Sequence, residues 1–147
     1  MVSQTIAIHA PIKIVYETIV DFESYVDFLP EMKSAHVDWC EDAEMDASFI
    51  ISVIKEIRYT LHFNLRPPQE VAWELKRGDL FKKNSGSWRL KSLKPERTEA
   101  KYSLELELGL WVPKSITQSL VEKTLPETLK RFKNRAEENF KKSKKKK

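Results

Sequence analysis

The chain has 147 residues, a third of them charged, with three glycines and one cysteine. That length suits one domain with a real apolar core. A lone Cys40 excludes an internal disulfide or a cysteine zinc cluster and fits a reducing cytoplasm as the expected location. Three glycines argue against a phosphate-cradling loop, the first residues lack the pattern of a signal peptide, and no apolar run approaches the roughly 20 residues of a membrane span.

Val2–Ile8 alternates, with Val2, Gln4, Ile6 and Ile8 on one face, and predicts a strand. Pro11 suits the first turn of a helix carrying Val15, Ile19 and Phe22 at helical spacing, with Ile12 and Tyr16 alongside. Ser24 is expected to cap a second short helix through Phe28, which Pro30 ends. Ser34–Trp39 predicts a strand, Glu41–Asp46 an acidic turn, and Ala47–Lys55 a strand that is apolar on both faces and so covered on both sides or central. Three more alternating runs follow: Ile57 to Leu65, Val71 to Leu75, and Trp88 with Leu90. They are separated by Pro67-Pro68, Gly78-Asp79 and Lys94-Pro95-Glu96. From Glu99 to Leu108 the alternation is nearly unbroken, with Ala100, Tyr102, Leu104, Leu106 and Leu108 on one face. Short connections make the neighbours antiparallel.

Pro113 opens a helical pattern to about Phe140, in which Val121, Leu125, Leu129, Phe132, Ala136 and Phe140 form one stripe. Ile116 and Leu120 fall on a different side of a regular helical wheel, and Pro126 lies beyond them. The expectation is a helix kinked at Pro126, its halves facing different parts of the sheet. Six lysines then crowd positions 141–147, leaving the first 140 residues with 20 basic against 22 acidic side chains. This run reads as a disordered tail after a single domain over 1–140, suited to weak contact with an anionic membrane or ribosome. No aromatic residue interleaves the lysines, so specific DNA binding is not expected.

This order resembles the helix-grip fold of the START-like (SRPBCC) superfamily, which also contains polyketide cyclases and the birch pollen allergen. Asp21-Phe22-Glu23-Ser24-Tyr25-Val26-Asp27-Phe28-Leu29-Pro30 is similar to the Asp-x-x-x-Tyr-Pro-x-Phe-Leu-Pro segment of the coenzyme-Q-binding and cyclase/dehydrase-like branch, with Val26 in place of its proline. Gly78, Phe81, Gly86 and Trp88 resemble that branch's Gly-x-Phe…Gly-x-Trp strand pair, and Pro113 to Glu138 resembles its final helix. The resemblance implies an α+β fold: a curved antiparallel sheet of about seven strands around a long C-terminal helix, with two short helices after the first strand. It also implies a cavity between sheet and helix.

The residues themselves offer little chemistry. His9, His36 and His62 are isolated, with His62 on the polar side of its strand, so no metal site is expected. Cys40 stands beside Trp39 and before acidic residues, a poor setting for a nucleophile, and Asp21, Glu23 and Asp27 are expected to cap or face water. No catalytic residue and no cofactor is expected. The inward candidates are Tyr59, Leu61 and Phe63, then Trp73, then Trp88 and Leu90, then Tyr102, Leu104 and Leu106. With Ile116 and Leu120 of the helix, they either fill a core or line a hollow. Access is expected between the first half of the helix and two loops, with Phe28, Met32, Leu80 and Phe81 at the rim. The resemblance implies binding, carrying or sensing of a hydrophobic small molecule such as a lipid, isoprenoid quinone or polyketide. The alternatives are a cyclase/aromatase, with Tyr59, Tyr102 and Arg66 as donors, and a ribosome-association module.

Overall fold

A computed structural model describes residues 2–52, 55–109 and 112–145. Seven strands make one antiparallel sheet: β1 (Val2–Ile8), β2 (Met32–Glu41), β3 (Glu44–Ser52), β4 (Glu56–Arg66), β5 (Glu70–Gly78), β6 (Phe81–Lys94) and β7 (Arg97–Leu108). Their order is β1-β7-β6-β5-β4-β3-β2, so six strands meander through consecutive hairpins and β1 lies at the far edge beside β7. The chain must therefore cross from one edge of the curved sheet to the other after β1. Helix α1 (Ile12–Val20) and a 3₁₀ turn (Phe22–Asp27) make that crossing.

Pro11 is the N-cap of α1 rather than part of its first turn, with an extended ψ of 148°. Asp21, not Ser24, precedes the 3₁₀ turn; the Ser24 hydroxyl donates to its carboxylate at 2.7 Å. The acidic turn between β2 and β3 is shorter than expected, only Asp42 and Ala43, with Asp42 at φ 51°, a left-handed conformation aspartate tolerates. Ala47, Phe49 and Ile51 of β3 are buried and alternate with half-buried Ser48 and Ile50. The strand ends at Ser52, Lys55 lies beyond it, and the rest of the expected segment, Val53 and Ile54, falls outside the described residues.

The C-terminal helix departs most from a regular pattern. It consists of α2 (Lys114–Ser119), a π turn (Leu120–Thr124) and α3 (Leu125–Lys145). In the π turn the Leu125 N–H reaches the carbonyl of Leu120, five residues back. One inserted residue rotates everything before it, so Ile116 and Leu120 share the buried face with Leu125, Leu129, Phe132 and Ala136. The two apolar sets thus do not lie on different sides, as a uniform wheel predicts; Val121 is half-buried instead. Pro126, the second residue of α3, falls where a missing N–H disturbs least. The halves do touch different strands, α2 against β7 and α3 against α1 and β1. Helix α3 continues to Lys145, so Lys141–Lys145 are helical rather than part of a loose tail.

On the outer face, Asp46 is 5% exposed. His62 Nδ1 approaches its carboxylate at 2.6 Å, Lys76 pairs with its other oxygen, and His62 Nε2 lies 3.0 Å from Glu44. Trp39 stacks on the imidazole, ring centres 6.4 Å apart. The hydrogen bond from Lys76 holds the Asp46 carboxyl below its usual range, and the bond to Asp46 raises the His62 imidazole. A raised imidazole adds stability that is complete below about pH 6.5 and disappears as pH climbs through its folded value. The depressed carboxyl adds stability above about pH 3.9, lost only as pH falls through its own folded value. The melting temperature should therefore fall from pH 6 to pH 9, and fall less in His62→Gln. Parallel profiles for the two proteins in thermal denaturation would contradict the assignment.

Candidate functional site

The concave face of the sheet and the long helix leave a cavity of about 170 Å³. Its floor is built by alternation. Phe63 of β4 lies opposite Trp73 of β5, Trp73 opposite Gly86 of β6, and Gly86 opposite Leu104 of β7; next to that row, Val71, Trp88 and Tyr102 align. Gly86 is required by close approach: a Cβ there would stand 2.2 Å from the Ser103 carbonyl and 2.7 Å from the Trp73 ring. The roof comprises Leu120, Thr124, Leu125, Thr128 and Phe132, and the 3₁₀ turn and the loop after it close one side with Phe22, Tyr25, Leu29 and Glu31. Aromatic edges lock this side together. Phe22 and Phe63 lie 4.2 Å apart between ring centres, Tyr25 and Phe132 5.1 Å, and Trp88 and Phe132 5.3 Å.

Nine of the eleven positions expected at a hollow are on this wall: Tyr59, Leu61, Phe63, Trp73, Trp88, Tyr102, Leu104, Leu106 and Leu120. Leu90 and Ile116 are not. Leu90 is buried nearer the β6–β7 hairpin, opposite fully buried Ala100, where the core closes; Ile116 is buried too, on α2 one turn before the first helix residue that reaches the cavity. Of the expected rim, Met32 and Phe81 are buried in the wall itself. Phe28 is turned away, its ring against Phe132 at 5.2 Å and beneath the Arg135 guanidinium at 5.3 Å. Leu80 is half-buried in the β5–β6 turn, where its carbonyl accepts from the Gly109 N–H at 2.8 Å.

The wall also holds residues that the strand and helix patterns did not single out: Phe49, Tyr25, Glu31, Asn84, Thr124 and Thr128. Two were legible by parity, since Asn84 shares a face with Gly86 and Trp88, and Phe49 with Ala47 and Ile51. Glu31 and Thr128 meet across 97 positions of chain, Thr128 Oγ1 lying 3.1 Å from the carboxylate, and no local pattern signals that.

The polar groups are few and specific. Trp73 Nε1 donates to Asn84 Oδ1 at 3.1 Å. An indole nitrogen can only donate, so the Asn84 NH₂ is the end left over. The Tyr25 hydroxyl donates to the Ile19 carbonyl. Burial pushes the Tyr59 and Tyr102 hydroxyls well above the usual tyrosine range, so both stay protonated. The remaining sequence candidates lie elsewhere. Arg66 is exposed beside Glu70, Glu23 accepts from the Val37 N–H at 3.0 Å, Asp27 lies 3.9 Å from Arg135, and Cys40 is exposed. Among the described residues no three His, Cys, Asp or Glu side chains converge as a metal ion requires, and no helix is long and apolar enough to cross a membrane.

With this geometry in place, comparison with known proteins gives the family. The chain belongs to the polyketide cyclase/dehydrase and lipid transport family, whose profile matches residues 8–133. Its fold is similar to that of the Zhui aromatase/cyclase from Streptomyces sp. R1128, with a TM-score of 0.82, 18% identity and 92% of each chain covered. It is also similar to a START superfamily protein from Mycobacterium smegmatis, at TM-score 0.80 and 22% identity over 93% of this chain and 97% of that one. A STAR-related lipid transfer protein from Xanthomonas axonopodis aligns at TM-score 0.76 and 16% identity, over 91% of this chain and 84% of that one. At such identities the likeness is one of fold. No curated protein sequence matches the chain.

Proposed function

We propose that this protein binds a hydrophobic small molecule between the sheet and the C-terminal helix and acts as its carrier or sensor, a lipid, isoprenoid quinone or polyketide-like compound being the class expected. One observation carries the reading: nine large inward side chains of the sheet and helix surround a hollow of about 170 Å³. Protein interiors are ordinarily packed to crystal density, and an apolar void forfeits contacts that a ligand restores. Enclosure supplies the affinity, at roughly 25 cal/mol per Å² of apolar surface removed from water. The lysine-rich end of α3 supports, by charge alone, weak contact with an anionic membrane or ribosome, and a cytoplasmic location fits the single reduced cysteine.

Access is proposed between α2 with its π turn and two segments, Phe28–Met32 ahead of and entering β2 and Leu80–Asn84 at the start of β6. Few buried contacts hold this half of the helix: only Ile116 of α2 and only Leu120 of the π turn are buried, and the hydrogen bonds of the π turn are re-spaced.

A second reading, an enzyme of the cyclase/aromatase kind, gains one observation. Glu31 is a carboxylate on the cavity wall, and Tyr59 on the same wall is a protonated phenol, so the site holds one candidate base and one candidate acid.

Filling the hollow tests the binding reading. Leu104→Trp and Leu106→Trp should lower affinity for a fluorescent apolar probe by about tenfold or more without lowering the melting temperature; undiminished binding would place the ligand elsewhere. Hydrogen exchange tests the gate: amides of residues 114–124 should exchange faster than those of β5 and β6, and equal protection would remove it. In the second reading Glu31→Gln should abolish turnover of a poly-β-keto substrate while leaving its binding intact; retained turnover would dismiss Glu31 as the base.

A further inference from the structure

We propose that the cavity selects a neutral ligand bearing a hydrogen-bond acceptor, such as a ketone or quinone oxygen on a compact apolar body, and rejects fatty acids and other carboxylates. This inference rests on the binding reading above and sharpens it to a chemical class.

The first observation is the charge of the wall. Among the described residues it includes no lysine, arginine or histidine, and Glu31 is its one charged side chain. A carboxylate entering this space would shed its hydration, find no cation to pair with, and face Glu31. Basic side chains elsewhere are engaged away from it: Arg135 sits over Phe28 outside the cavity, Lys76 is held by Asp46 on the opposite face of the sheet, and Arg66 projects into solvent.

The second observation is an excess of donors. The Asn84 amide presents its NH₂, because its oxygen is committed to Trp73. The Tyr59 and Tyr102 hydroxyls, held protonated by burial, lie on the same wall. Tyr25, by contrast, is already satisfied by the Ile19 carbonyl. Three neutral donors thus border an apolar space whose one carboxylate acceptor, Glu31, already receives the Thr128 hydroxyl. A hydrocarbon offers these donors no partner, which is the costly case for a buried polar group, whereas a ligand oxygen accepts from them. Gly86 keeps this geometry fixed, since any side chain there would drive Trp73, and with it Asn84, out of place. The volume of about 170 Å³ sets the third limit. It lies below the ~300–1,000 Å³ typical of sites for drug-sized ligands, so a compact ring system fits and a two-chain phospholipid does not.

Three ligands on one skeleton test the inference: 2-acetylnaphthalene as the neutral acceptor, 2-ethylnaphthalene as the hydrocarbon and 2-naphthoate as the anion, titrated calorimetrically into the full chain at pH 7. The ketone should bind about tenfold more tightly than the hydrocarbon, and the carboxylate most weakly. Tyr59→Phe and Tyr102→Phe, which change no shape, should each shrink the ketone's advantage. Glu31→Gln should strengthen naphthoate binding severalfold and so narrow the ketone's lead over the carboxylate. Carboxylate binding as tight as the ketone's, or equal affinity for all three, would overturn the selectivity while leaving the binding reading in place. Binding of none of the three would overturn the binding reading, and the selectivity with it.

Discussion

One constraint governs the molecule: a curved seven-strand sheet presents more apolar surface than a single helix can cover. Helix α3 commits Leu125, Leu129, Phe132 and Ala136 to that face, and each fully buried leucine or phenylalanine contributes roughly 1.5–3 kcal/mol. Alone, that stripe ends at Leu125. The π turn extends it by rotating Leu120 and Ile116 into line, and it does so one residue before Pro126, where a regular helix would lose a hydrogen bond in any case. The irregularity and the proline are thus parts of the same solution. What the extended stripe still fails to fill, between Phe63, Trp73 and Tyr102 below and Leu120 and Thr124 above, is the cavity.

Legibility in the sequence followed the range of the interaction. The strands were readable because alternation is a local property: β4 and β7 each carry a polar and an apolar side chain at every second position, and their inward members are the wall residues Tyr59, Leu61, Phe63, Tyr102, Leu104 and Leu106. The helical face was misread because a wheel assumes uniform winding, and one inserted residue changes the answer for everything before Leu125. Phe28 looked like a rim residue from its place in a loop, yet an edge contact with Phe132 and a cation above it hold it outside the site. Glu31 was invisible for a different reason. Its partner, Thr128, comes near only when the final helix closes over the sheet.

Polar groups are partitioned with equal economy. The titratable cluster of Asp46, His62, Glu44 and Lys76 sits on the solvent side of β3, β4 and β5, with each charge matched. The cavity side of the sheet carries protonated Tyr59 and Tyr102 and the Asn84 amide, and among the described residues of the cavity wall there is no cation. Alternation makes this separation possible, since neighbours such as Leu61 and His62 point to opposite faces. The sheet is consequently a boundary between two electrostatic environments, ion pairs outside and mostly neutral groups within.

The central claim is that the hollow exists to hold a ligand. Native mass spectrometry of the purified protein, followed by organic extraction of anything bound, tests it most directly. A stoichiometric adduct, released on extraction as a neutral apolar compound and absent from the Leu104→Trp variant, is the predicted result. A bare mass for the chain, unchanged after incubation with quinones, lipids and aromatic ketones, would mean that the cavity is a packing defect rather than a site.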